Sequence, residues 1–382
     1  MQRTSRRVPA SILALGLGAF GIGTTEFAPM GLLPAISQDL GSSISVTGQI
    51  VTAYAIGVMI GAPIMTWAMA RWSHRTSLMA LMGLFVVGNL LSAIATGYWS
   101  LMLGRVVTSL SQGAFFGSGA VVATSVVPPE RQGSAVATMF MGLSIANILG
   151  VPAAAWLGDA VGWRSAFGGT AALGVIALVA LGFTLPRDGG GNRPNLAELK
   201  ALSNRSMLLT ISATVLFAGS FFSVYTYIAP LLATIAEATP SYISLLLAII
   251  GIGLTAGNWI GGKLANGSLR RAISIGLGAQ GLSSLVLPLG LSASNLVPTM
   301  LILWAAAAFA SVPGLQMRAM QAARQAPSIA AALNIAAFNL GNAVGAGAGG
   351  MVLAAGFGVE AVPIVAAALA GLGLLIVRLD AN

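Results

Sequence analysis

What most constrains this chain is the recurrence of long apolar runs separated by short polar turns. A helix needs about 20 mostly apolar residues to cross a bilayer core. Twelve runs of that order can be marked off, at roughly 8–36, 46–70, 77–96, 99–127, 133–158, 164–185, 207–235, 241–265, 272–291, 295–321, 328–356 and 361–378. A membrane strand would alternate over about ten residues; these runs are continuous, so each predicts a helix. Only 7% of the 382 residues are charged, against about 25% in a soluble domain. The expected fold is an all-α integral membrane protein. The opening "MQRTSRRVPASILALGLGAFG" imitates a secretory leader, but its apolar pattern continues through Glu26 to Ile36. That exceeds a leader's apolar core of about 7–15 residues, so it reads as a first span.

The few charges are distributed unevenly. With the N-terminus placed in the cytoplasm, sixteen of the eighteen Lys and Arg residues fall on cytoplasmic segments, Arg164 falls on an outer loop and Arg105 lies inside a span. Short loops rich in Lys and Arg stay inside, so both termini are expected in the cytoplasm. The net charge of +9 does not indicate a nucleic-acid partner, because the basic residues come one to four at a time between apolar runs. No cysteine is present, which excludes disulfides, thiolate metal ligands and cysteine nucleophiles. The single histidine, His74, sits in a charged loop. With no spanning histidine and no paired intramembrane carboxylates, neither a metal site, a cofactor nor an enzyme activity is expected.

The longest polar stretch, "PRDGGGNRPNLAELKALSNRS" from Pro186 to Ser206, divides the chain into a six-span half at 1–185, a cytoplasmic linker at 186–206 and a second six-span half at 207–382. Within it "NLAELKAL" is either a short amphipathic helix on the inner membrane face or plain linker. A shift of 196 residues lays Gly23 on Gly219, Pro34 on Pro230, Gly57 on Gly253, Gly61 on Gly257 and Arg75 on Arg271; a shift of 195 lays Asn147 on Asn342 and Gly150 on Gly345. Six spans per unit put both copies in one orientation, the parallel repeat of certain secondary transporters.

Several motifs are specific. "GTTEFAPMGLLPAISQDL" lies in the chain's first span, "GAPIMTWAMARWSHR" joins spans two and three, and "GRVVTSLSQGAFFG" carries Arg105 in span four. "GLSIANILGVPAAAWLGDAVGWRSAF" covers span five and the start of span six, and "ALNIAAFNLGNAVGAGAGG" covers span eleven. Together they resemble the major facilitator superfamily, within it the twelve-span drug–proton antiporter family, and more narrowly its arabinose-efflux-like branch. The resemblance implies a transporter that works by alternating access, with a small-molecule substrate, protons and membrane lipid as partners, as a monomer in a bacterial-type inner membrane. One departure stands out. The loop after span two has Ala70 where the family usually has an aspartate, and Ser73 where glycine is common; Asn266 replaces the corresponding aspartate in the second half. The charge-relay role of that aspartate is therefore not carried over. Arg71 and Arg75 are left to meet either a helix C-terminus or lipid phosphates.

Glu26 is the one acid clearly inside a span. At 1.5 Å per residue it lies about 21 Å from the cytoplasmic edge of span one, in a core about 30 Å thick. Arg105 lies about 9 Å from the outer edge of span four by the same rise. The depths agree, and the resemblance implies that spans one and four are neighbours, so the two charges are expected to meet. An unpaired ion at such depth costs at least about 2.5–3.5 kcal/mol. Burial favours the neutral acid and a nearby guanidinium the charged one. Three readings stay open: a fixed structural ion pair, a proton-coupling carboxylate tuned by Arg105, or a substrate contact. At the repeat offset Glu26 corresponds to Phe222 and Arg105 to Leu301, so any coupling belongs to the first half.

Small residues mark two spans: Gly142, Gly150, Pro152 and Gly158 in span five, and Gly341, Gly345, Gly349 and Gly350 in span eleven. They serve either ordinary close packing or a seam on which the two halves slide. Candidates for a central cavity, or for interhelical hydrogen bonds instead, are Tyr54, Asn89, Gln112, Asn147, Tyr225, Tyr227, Asn258, Gln280, Asn334, Asn339 and Asn342. Phe115, Phe116, Phe221, Phe222 and Phe338 are candidates for its apolar wall. Such a lining suits a small uncharged or amphipathic solute. The function expected is proton-coupled export of small organic solutes, drug-like or sugar-like. The alternatives are a proton-independent facilitator or importer of the same fold and, more remotely, a membrane sensor or enzyme.

Overall fold

A computed structural model describes residues 9–69, 71–128, 132–186, 204–293, 295–323 and 327–379. The linker segment 187–203, with its "NLAELKAL" stretch, lies outside the described residues. Helices follow one another without a strand among the described residues: α1 (Ala10–Asp39), α2 (Ile44–Ala68), α3 (His74–Ala93), α4 (Tyr98–Ser125), α5 (Gln132–Ile145), α6 (Val151–Val161), α7 (Trp163–Thr184), α8 (Arg205–Thr226), α9 (Ile228–Ile235), α10 (Pro240–Gly267), α11 (Leu269–Leu291), α12 (Val297–Phe309), α13 (Val312–Ala322), α14 (Pro327–Ala354) and α15 (Val362–Leu379). They make twelve passes, because α5 with α6, α8 with α9, and α12 with α13 each form one interrupted pass. Among the described residues, eleven stretches are long and apolar enough to cross a membrane. The remaining pass, α14, carries three asparagines, Asn334, Asn339 and Asn342. An even number of passes returns residues 9 and 379 to one face, here called the terminal face.

The interruptions have a common cause. Proline lacks the N–H that would close the turn and its ring presses on the carbonyl four residues earlier. Pro152 follows a π-helical turn at Ala146–Gly150; Pro230 follows the break at Tyr227; Pro313 follows the break at Ala310 and Ser311. Polar residues in the turns start the helices. The side chains of Ser43, Ser73 and Asn204 accept from the backbone N–H three residues on, which satisfies an otherwise orphaned donor. Gly162, between α6 and α7, has φ +104°, a conformation that a side chain would disfavour.

The glycines of span five do not face the other half. A Cβ at Gly142 would strike the Gly16 carbonyl and Phe20 amide of α1, one at Gly150 the Thr24 hydroxyl, and one at Gly158 the Leu32 side chain. In span eleven Gly341 packs on Val215 and Ala218, and Gly345 on Gly219 and Ser223, all in α8. These five glycines serve close packing on a neighbouring helix, and their missing side chains let each helix lie against a partner in its own half. Gly350 of span eleven, by contrast, lies beside Ser45 and Gln49 of the first half.

The contacts that cross between the first and last six passes include Gly350 of span eleven. Ser45 Oγ donates to the Gly350 carbonyl at 2.7 Å. The Tyr227 ring fills the space beside Gly48, Gly349 and Gly350, and its hydroxyl donates to the Ala346 carbonyl at 2.9 Å. Gly251 of α10 faces the Asn147 carbonyl in the π-turn, and Gly31 faces Leu247. All lie toward the face opposite the termini. On that face Asp39 pairs with Arg164 at 2.7 Å and accepts from Trp163 Nε1 at 3.1 Å, while Arg164 Nε donates to the Ala95 carbonyl. On the terminal face, Arg75 donates to the carbonyls of Gly182 and Leu185 at the C-terminus of α7, where the helix dipole favours a cation. Arg71 is exposed in the same turn.

Candidate functional site

The site is built outward from α1. Glu26 and Arg105 are buried, 4% and 0% exposed. Arg105 and Gln112 are seven residues apart, two turns on one face of α4. Gln112 Nε2 donates to Glu26 Oε2 at 2.9 Å, and the Tyr54 hydroxyl donates to Gln112 Oε1 at 2.6 Å. The Tyr54 ring in turn lies under the Arg105 guanidinium, 4.1 Å from its centroid, with Phe167 at 5.7 Å. Arg105 Nη1 donates to the Thr25 carbonyl at 2.9 Å and to Thr25 Oγ1 at 3.3 Å. Thr25 Oγ1 donates to Asn89 Oδ1 at 2.5 Å, and Asn89 Nδ2 to the Phe85 carbonyl.

Glu26 and Arg105 therefore do not form the direct pair expected. Among the described residues the ion pair within 4.0 Å is that of Asp39 and Arg164. Thr25 and Glu26 are about 100° apart around α1, so the guanidinium takes the Thr25 side of the helix while the carboxylate turns to Gln112. One amide and one phenol bridge the two charges. Arg105 Nε and Nη2 have no hydrogen-bond partner, and the aromatic face of Tyr54 supplies the electrostatic contact that they lack. The amide can serve either charge state of Glu26, which accepts only when ionised and can also donate when protonated.

An aromatic contact with the last six passes begins one residue along. Phe27 stacks on Phe222 at 6.1 Å and 11°, and meets Tyr225 at 5.9 Å. Phe222 meets Phe338 at 5.3 Å, and Phe221 stacks on Tyr225 at 4.9 Å. The Tyr225 hydroxyl is buried without a partner, and the residue lies within electrostatic reach of Glu26.

Of the predicted residues, Glu26, Arg105, Tyr54, Asn89 and Gln112 converge, and Phe222, Phe338 and Tyr225 meet them through Phe27. Others do not join this group. Tyr227 closes the opposite face. Asn334 accepts from Thr214 and donates to Gln316. Gln280 donates to the Phe217 carbonyl. Asn258 is exposed near the terminal-face end of α10. Phe115 packs against Met82 beside Gly18, and Phe116 stacks on Phe140, both inside the first half's core. Asn147 and Asn339 each donate back along their own helix and keep a buried oxygen unpaired, while both amide atoms of Asn342 are unpaired. Sequence reasoning missed Thr25 and Phe27. Their position beside the sole intramembrane acid was the available signal.

Comparison with known proteins agrees with this architecture. The profile of the Major Facilitator Superfamily matches residues 15–336. The Escherichia coli K12 protein named inner membrane transport protein YdhP is 50% identical over 372 residues, 97% of this chain and 96% of its own. The putative transporter AraJ of the same organism is 32% identical, over 94% of this chain and 91% of its own. The crystal structure of a bacterial homologue of the human lysosomal transporter Spinster, inward-facing and unoccupied, superposes with a TM-score of 0.77 at 15% identity, covering 97% and 96% of the two chains. A matching profile over most of the chain, near full-length relatives and a shared twelve-pass fold place this protein in the Major Facilitator Superfamily.

Proposed function

We propose that the protein is a proton-coupled secondary transporter that exports small organic solutes, drug-like or sugar-like, by alternating access. The observation that carries the reading is Glu26. It is a buried acid in a bundle with very few charges, bridged by Gln112 and Tyr54 to Arg105, one residue from the Phe27–Phe222 contact between the halves. A rocking motion of residues 1–185 against 207–382 would change the surroundings of that contact. The acid beside it would then load and release a proton as exposure changes. The resemblance to the arabinose-efflux-like branch supports export and the substrate class. Arginine asymmetry supports cytoplasmic termini, and the relative YdhP supports an inner-membrane location. With that orientation, the contacts of Ser45, Tyr227 and Gly251 lie toward the outer side.

The test is reconstitution in sealed vesicles. A screen of sugars and drug-like solutes, with and without an imposed pH gradient, first finds a transported probe. Glu26→Gln keeps the side chain's size and removes its titration. It is expected to retain counterflow of that probe and to lose accumulation driven by the pH gradient. Wild-type accumulation by Glu26→Gln would make Glu26 a fixed structural group and refute the coupling role.

A further inference from the structure

The position of Arg105 depends on a backbone defect in the facing helix. In an unbroken α-helix the carbonyl of residue 25 accepts from the N–H of residue 29. Residue 29 here is Pro29, inside α1, which has no N–H to give. The Thr25 carbonyl is thereby released in the middle of a membrane helix, where an unsatisfied backbone group costs several kcal/mol. Arg105 Nη1 takes it at 2.9 Å. The two deficits fit each other: a carbonyl without a donor, and a fully buried guanidinium whose Nε and Nη2 remain unpaired.

We propose that Pro29 is a positioning residue for the proton-coupling group. It frees the Thr25 carbonyl to dock Arg105, which holds the guanidinium on the Tyr54 ring. Tyr54 donates to Gln112 and Gln112 to Glu26, so the dock sets the geometry of the acid from one turn away. The assignment rests on the coupling reading for its functional meaning, while its geometry is independent of it. The ionisable groups that face one another are Glu26 on α1, Tyr54 on α2, Arg105 on α4 and Tyr225 on α8. A second proline in the same helix provides a contrast. Pro34 likewise leaves the Met30 carbonyl without its helical donor, but among the described residues no side chain donates to that carbonyl. A missing helix hydrogen bond is common to both prolines, and a docked guanidinium belongs to one.

Pro29→Ala restores the N–H and draws the Thr25 carbonyl back into the helix. Two readouts need no substrate. The first is thermal melting of the purified full-length protein. Pro29→Ala is expected to lower the melting temperature by about 2–4 °C, the loss expected for one hydrogen bond to a buried charge in a chain of this length. In an Arg105→Gln background the same change is expected to be neutral or stabilising, because only the helix bond is then at stake. Arg105→Met, which has no donor, fills this arm should Arg105→Gln not accumulate. The second is infrared titration of the Glu26 carboxyl band, isolated by subtraction of Glu26→Gln. Its midpoint is expected to move by about 1 pH unit in Pro29→Ala, the scale of a displaced neighbouring charge, and to stay in place in Pro34→Ala. Equal melting losses with and without Arg105, or equal band shifts for the two prolines, would overturn the assignment. Neither result bears on whether Glu26 couples transport, which the vesicle assay decides separately.

Discussion

Gly345 offers a direct measure of what the small residues of span eleven do. A Cβ there would lie 2.8 Å from the Ser223 amide nitrogen and 2.9 Å from the Gly219 carbonyl carbon. Both are backbone atoms of α8 and cannot swing aside. Ordinary contact would require α8 and α14 to separate by about 0.5–1 Å, which forfeits a quarter to a half of the local dispersion attraction. Overpacking of this kind costs about 1–3 kcal/mol, and alanine's better helix propensity returns up to about 1 kcal/mol. The net loss for Gly345→Ala is therefore about 0–3 kcal/mol with a midpoint of about 1.5 kcal/mol, or a fall of about 2 °C in melting temperature for a chain of 382 residues. Gly347 is two residues along the same helix and a Cβ there meets nothing within 4 Å. Gly347→Ala is expected to melt at or slightly above the wild-type temperature. The assay is thermal melting of detergent-solubilised protein by size-exclusion chromatography, with transport normalised to folded protein. If Gly345→Ala melts like Gly347→Ala but loses transport, the glycine serves a moving seam and its placement against α8 is the wrong explanation.

Two further outcomes follow from the geometry. Gln112→Leu removes the amide that joins Glu26 to Tyr54, so it should cut pH-gradient-driven accumulation while sparing counterflow; unchanged accumulation would show the bridge to be dispensable. The cysteine-free background allows a clean topology test, in which a cysteine at Asn382 should resist an impermeant maleimide added to intact cells and react after permeabilisation, and labelling from outside would reverse the orientation.

The twelve passes were legible because a bilayer leaves the backbone little choice. Once a run is long and apolar, helix follows, and the ends fall close to the polar turns: 164–185 was expected for the helix found at Trp163–Thr184, and 8–36 for Ala10–Asp39. Depth was legible for the same reason. Each residue adds a fixed rise, so Glu26 and Arg105 could be placed at one level by counting. Rotation about the helix axis was not. Each residue also turns the helix by about 100°, so an error of one residue in the phase of a helix moves a side chain to a different neighbour. The π-turn at Ala146–Gly150 makes such a change in span five, and Gly150 and Gly158 point to α1 rather than across the molecule. In α1 the same issue decides the site. Thr25 and Glu26 share a depth but face different ways, and Pro29 chooses which of them receives the guanidinium by leaving one carbonyl open. A count of residues placed the charges at the same level. The polarity of the side chains between them, Gln112 and Tyr54, makes each a candidate for a cavity or for interhelical packing alike. Their order as a bridge depended on angles that only the packed helices set.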